Sequence, residues 1–84
     1  MKKAAVSAEV VIELERAMAQ YAAMHSPHEG WAIILEELEE LWDEVKVRDD
    51  QRSVERMRAE AVQVAAMAMR FIIDICGGGS GADA

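Results

Sequence analysis

The chain has little of what builds strands, disulfides or membrane spans. A single cysteine, Cys76, excludes an intrachain disulfide and a cysteine-based zinc centre, and a free thiol fits a reducing cytoplasm. There is one proline, Pro27, and four of the five glycines fall within 77–81, so turn-forming dipeptides are nearly missing before the tail. Aromatic residues make up only 5% of a chain that is 52% apolar, which leaves alanine, methionine, valine and isoleucine as the core formers and favours an all-α fold. No run approaches the ~18 uncharged apolar residues of a membrane span. The basic start Met1-Lys2-Lys3 is followed by an apolar stretch that Glu9 interrupts, so no secretion signal is expected. Nine basic residues against sixteen acidic ones give a net charge of −7, and the basic residues form no stripe with interleaved aromatics. A nucleic-acid polymer is therefore excluded as a partner. A phosphorylated small molecule is not, because a bound divalent ion inverts the field of the carboxylates around it.

What the sequence has in abundance is acid in one place. Glu36-Glu37-Leu38-Glu39-Glu40-Leu41-Trp42-Asp43-Glu44 holds six carboxylates in nine residues, with like charges three and four apart. Each such pair costs a few tenths of a kcal/mol on an isolated helix. Relief is late, from Lys46 and Arg48. On a helical wheel Glu37, Glu40 and Glu44 border the apolar stripe instead of opposing it, where carboxylates lose part of their water and need a counter-charge.

Around this run the spacing predicts three helices in one domain over 1–76. The first covers about 7–24, with Ser7 as N-cap and Val10, Leu14, Ala17, Met18 and Tyr21 as its core stripe. The second starts at Pro27, where Ser26 and Glu29 match a capping box, and runs to about Arg48. Trp31, Ile34, Leu35, Leu38, Leu41, Trp42 and Val45 form its apolar stripe, with Trp42 expected in the core. The third covers about 51–76 with Asp49 or Asp50 as N-cap, and the short connection makes helices two and three antiparallel neighbours. Apolar residues wrap about 220° of helix three by the helical period. A monomer of this size does not cover that arc. A homodimer or homotetramer is expected through helix three, since a chain this short buries only about 60% of its unfolded surface. The remaining stripe on helix three, Arg56, Glu60, Gln63, Arg70 and Asp74, reads on the wheel as the exposed face. The Gly-rich tail over 77–84 is expected to be disordered.

Placed side by side, the two helices bring Glu37 and Glu40 opposite Glu60 and Gln63, each pair one helical turn apart. An oxygen-only donor set suits Mg2+ or Mn2+. His25 and His28 flank the start of helix two and lack the Glu-x-x-His spacing of a diiron helix, which leaves them as contacts for a ligand's phosphate or sugar.

With these residues in view, the sequence resembles the MazG-like superfamily of all-α nucleoside triphosphate pyrophosphohydrolases, which includes the dimeric dUTPases and dCTP pyrophosphatases. The EExxE motif of that family stands as Glu36-Glu37-Leu38-Glu39-Glu40, and its ExxD motif as Glu60-Ala61-Val62-Gln63. His25-Ser26-Pro27 looks like the His-x-Pro that precedes the motif helix in the dCTP pyrophosphatases. The resemblance spans roughly residues 20–76 and implies hydrolysis of an NTP or dNTP to monophosphate and pyrophosphate. It implies Glu37, Glu40 and Glu60 as metal ligands, Gln63 as a weaker one, and Glu36 as the residue that activates water. Lys46, Arg48 and Arg52 would neutralise phosphate, and Trp31 or Trp42 would stack on a base. Gln63 departs from the family Asp and removes one negative charge. The alternative is accordingly a non-catalytic oligomerisation or regulatory module with a degenerate metal site.

Overall fold

The computed structural model describes residues 2–77, and the tail beyond Gly77 lies outside them. The architecture is all-α: α1 (Lys2–Gln20), α2 (Pro27–Val45), a short 3₁₀ turn (Asp49–Gln51) and α3 (Val54–Asp74). No strand occurs among the described residues.

Helix α3 is the spine. Gly30 of α2 lies against Phe71, and Glu44 meets Arg56, so α2 runs antiparallel to α3. Glu9 meets Arg58 and the Ala17 carbonyl meets Arg70, so α1 runs parallel to it. Helices α1 and α2 each pack on α3 and not on one another. The buried core is accordingly small: Val10, Leu14 and Ala17 from α1, Met24 from the connecting loop, Ala66 and Met67 from α3. Helix α2 has Gly30 as its fully buried residue and packs the half-buried Ile33 and Ile34 against this core.

Helix starts follow local chemistry. Ser26 caps α2 by accepting from the Glu29 amide at 3.0 Å, with Pro27 in the first turn. The Glu29 carboxylate reaches one residue further back than a capping box requires and accepts from the His25 amide. Helix α1 begins at Lys2 and ends at Gln20, so Ser7 is an interior residue and not its cap. Nothing in 2–8 breaks a helix, and one good helix former after another carries it back past Ser7. Helix α3 is capped by Ser53, which accepts from the Arg56 amide at 3.1 Å. Asp49 and Asp50 belong instead to the 3₁₀ turn, where Asp49 takes the Arg52 guanidinium at 2.8 Å. Arg52 also donates to the Val45 and Val47 carbonyls and closes the C-terminal end of α2.

Arg70 and Asp74 correct the wheel reading of α3. They turn inward, with side chains only 6% and 9% exposed and 3.0 Å apart. Arg70 donates to the carbonyls of Ala17 and Tyr21 at 3.2 and 2.9 Å. Asp74 accepts from the Met24 amide at 2.9 Å. One buried ion pair thus satisfies the carbonyls at the end of α1 and pins the loop to α3.

Removing one partner of this pair leaves the other charge buried. Arg70→Ala and Asp74→Ala should each cost about 3–5 kcal/mol, and the double variant less than their sum. Urea unfolding at fixed protein concentration, followed by helix ellipticity, measures this; single-variant losses below about 1 kcal/mol would show that the pair does not clamp the fold.

Candidate metal and nucleotide site

Because α1 and α2 straddle α3 without meeting, a cavity of about 510 Å³ lies between them, lined by all three helices. Its α2 wall is Ile33, Glu36, Glu37 and Glu40; its α3 wall is Glu60, Gln63, Met67 and Arg70; α1 and the following loop supply Arg16, Ala17, Tyr21, Ala22 and Met24. The acids come from α2 and α3, and the guanidinium groups from α1 (Arg16) and α3 (Arg70).

Glu37 occupies a position on α2 that faces α3, in the row Gly30, Ile34, Glu37, Leu41, Glu44, where an apolar residue normally sits. Glu40 follows one turn later, and Glu60 comes from the antiparallel helix. One carboxylate oxygen from each of Glu37, Glu40 and Glu60 lies within 4.8 Å of the others. Burial first, and then the charges of Glu40, Glu60 and Glu36, push the Glu37 carboxyl up to about 7. Glu60 is raised in the same way, by burial and then by Glu40 and Glu44. The triad therefore stores repulsion, and a hard divalent ion is the counter-charge that oxygen donors of this kind accept. The residues present fit such an ion.

On the opposite wall Arg16 donates to both oxygens of Glu13 and, at 2.7 Å, to Gln20. That contact, helped by a weaker one from the Gln63 amide, holds Glu13 below the usual carboxylate range despite some burial. Gln63 thus reaches towards α1 as well as lining the cavity. Arg70 is already engaged by Asp74 and two carbonyls. Arg16 is half-exposed, and its contacts to Glu13 and Gln20 lie within its own helix.

All of Glu36, Glu37, Glu40, Glu60 and Gln63 line this one cavity. His25, His28, Trp31, Lys46 and Arg48 do not. His25 pairs with Glu29 in the loop, Lys46 with Asp43, and Arg48 with Asp50. His28 and Trp31 border a separate shallow depression beside Pro27. Trp42, expected in the core, is 58% exposed, because α2 turns its carboxylate flank to the cavity and its indole flank to solvent. Tyr21, expected in the core stripe of the first helix, is 59% exposed and lines the cavity, as do Arg16 and Arg70, for which the spacing predicts no such place. The available signal was Arg70 and Asp74 four apart inside an otherwise apolar run, which reads as a pair only if that face is inside.

The pH dependence of stability follows from Glu37. Its folded pKa of about 7 lies above the 4.5 of an ordinary glutamate carboxyl, so between these two values the folded state holds the proton more tightly. Stability of the metal-free protein should fall as pH rises from about 4.5 through about 7. Glu36, Glu40 and Glu60 face the same carboxyl and work in the same direction; Arg16 and Arg70 line the cavity beyond them. Glu37→Gln should abolish most of this slope and raise the melting temperature at pH near 8. An unchanged slope in thermal melts of that variant would mean that the carboxylates are fully solvated.

No protein-family model, no curated protein and no solved structure matches this chain.

Proposed function

We propose that the chain is a metal-dependent nucleoside triphosphate pyrophosphohydrolase, converting an NTP or dNTP and water to the monophosphate and pyrophosphate. The observation that carries this reading is the convergence of Glu37, Glu40 and Glu60 within 4.8 Å on one wall of a cavity whose other wall holds Arg16. A volume of about 510 Å³ is in the range of small-molecule sites. The order of the motifs, EExxE on α2 and Glu60-x-x-Gln63 on α3, supports it further.

In this reading Glu37, Glu40 and Glu60 hold Mg2+ or Mn2+, with Gln63 offering a carbonyl oxygen. Bound there, the ion supplies charge neutralisation to the phosphate oxygens. Glu36, on the cavity rim, accepts the proton of the attacking water as its oxygen bonds to the α-phosphorus and the bond to the bridging oxygen breaks. Arg16 exchanges Glu13 for a phosphate oxygen of the substrate, a charge-assisted contact of the same geometry. His25, His28, Trp31, Lys46 and Arg48 fit this reading only if another copy brings them to the cavity, since within one chain they lie outside it. We place the protein in the cytoplasm, where Cys76 stays a thiol, and take its working form to be a homodimer or homotetramer. No helix among the described residues is long and apolar enough to cross a membrane.

A second reading is favoured by Gln63, whose amide serves Glu13. A helical oligomerisation or regulatory module with a weakened metal site would look the same in the triad and differ in turnover.

Calorimetric titration with Mg2+ and Mn2+, followed by a screen of NTPs and dNTPs for pyrophosphate release, tests both. Glu37→Gln and Glu60→Gln should each abolish metal binding and release. Metal binding without release by any nucleotide leaves the regulatory module; no metal binding at all removes both readings. Gln63→Asp should tighten metal binding roughly tenfold if the side chain reaches the ion, since an added charge at 4 Å contributes about 1 kcal/mol even in water. Unchanged affinity in that variant would place Gln63 outside the ligand set.

A further inference from the structure

The face of the α2–α3 layer turned away from the cavity is bare. On α2 it carries Trp31 and Trp42, 60% and 58% exposed, with Leu38 between them. On α3 it carries exposed Val54, Ala61, Ala68 and Ile72. These residues share one side of the layer because, at 100° per residue, each set lies opposite the cavity-lining set of its own helix. Helix α1 covers the other side and does not reach α2.

We infer that this face binds a second copy of the chain, with the tryptophans of one α2 seated on the alanine seam of the partner's α3. It deepens the self-association part of the proposed function, naming the surface, and is independent of the hydrolase chemistry.

Three features select a second copy. The first is charge. The chain carries −7 overall, yet no charged residue falls within an arc of about 120° on this flank of either helix. Two copies repel one another elsewhere and can approach here, whereas an anionic lipid surface would be repelled by the rest of the molecule. The second is shape. Large knobs on α2 lie beside the small residues Ala61 and Ala68 on α3, so a two-fold axis sets knob against row twice, and the antiparallel pair becomes a four-helix arrangement. The third is size. The two indoles alone keep roughly 200–300 Å² in water. Leu38, Val54 and Ile72 bring the face towards the about 800 Å² per partner of a stable interface.

Sedimentation equilibrium at micromolar concentration tests this with the full chain, Ala68→Glu, Ile72→Glu, and a control, Ile12→Glu, on the exposed flank of α1. The full chain and the control should be associated, and the two α3 variants monomeric with helix ellipticity retained. A monomeric full chain overturns both the face and the self-association; assembly broken by Ile12→Glu and kept by the α3 variants overturns the face alone. Should the α3 variants lose their helix, iodide quenching of the unmodified chain decides. Tryptophan quenching that rises on dilution supports the inference, and quenching independent of concentration overturns it. So does a monomer whose tryptophan emission shifts to the blue only with phosphatidylcholine vesicles, which assigns the face to lipid.

Discussion

The contact on which the rest depends is the buried pair of Arg70 and Asp74. Three of the polar groups it satisfies belong to the end of α1 and the loop after it: the carbonyls of Ala17 and Tyr21 and the amide of Met24. The Ala17 carbonyl also accepts from the Tyr21 amide at 2.8 Å, whereas a carbonyl past the last turn, such as that of Tyr21, would otherwise need water or a glycine cap. The guanidinium supplies planar, fixed donors that bond both carbonyls and its own carboxylate at once. The cost of burying two charges is offset in part by three hydrogen bonds beyond the ion pair, to Ala17, Tyr21 and Met24, and no buried side-chain nitrogen or oxygen among the described residues lacks a partner. In return α1 is held parallel to α3 at one edge, while α2 is held antiparallel at another. The cavity is the gap this leaves.

The register of α2 against α3 is set at its N-terminal end. A Cβ at Gly30 would come within 2.5 Å of the Phe71 ring and 3.1 Å of the Met24 sulfur, so glycine is what lets the two helices close there. The Ser26 cap fixes where the helix begins, and Gly30 fixes which side of it meets α3. From these two points the helical period places Glu37 against α3 and Glu36 and Glu40 in the cavity, without further instruction.

Much of this was legible in the residues. Ser26, Pro27 and Glu29 announce the start of α2, and a short turn makes α2 and α3 antiparallel. Residues three apart on each helix are then bound to stack, which is why Glu37, Glu40 and Glu60 come together. The wheel, however, gives the composition of each flank and not which flank another helix covers. Trp42 and Arg70 were misplaced for this one reason: on α2 the edge of the apolar stripe that carries Trp31, Leu38 and Trp42 faces out, and on α3 part of the polar stripe faces in. Helix starts failed differently. Ser7 has the right side chain for a cap, but nothing upstream stops the helix; Asp49 and Asp50 have it too, but Arg52 draws Asp49 into a turn and Ser53 takes the position.

The inversion of α2 also has an energetic reading. Each tryptophan leaves more than half of its surface in water, and covering it would contribute about 2–4 kcal/mol at ~25 cal/mol per Å². Turning α2 about its axis by roughly a third of a turn would bury both indoles against α3 and release Glu37 to solvent, at the cost of turning Ile34 and Leu41 out of their places against α3. The observed register instead keeps Ile34 and Leu41 half-buried and leaves both indoles in water. Gly30 against Phe71 resists the rotation but accounts for only the first turn of a helix of 19 residues. Two outside contributions would stabilise the rest: a cation among the carboxylates on one flank and an apolar surface over the indoles on the other. Each would favour the same rotation of the same helix, so a filled cavity and a covered opposite face would act on one element, α2.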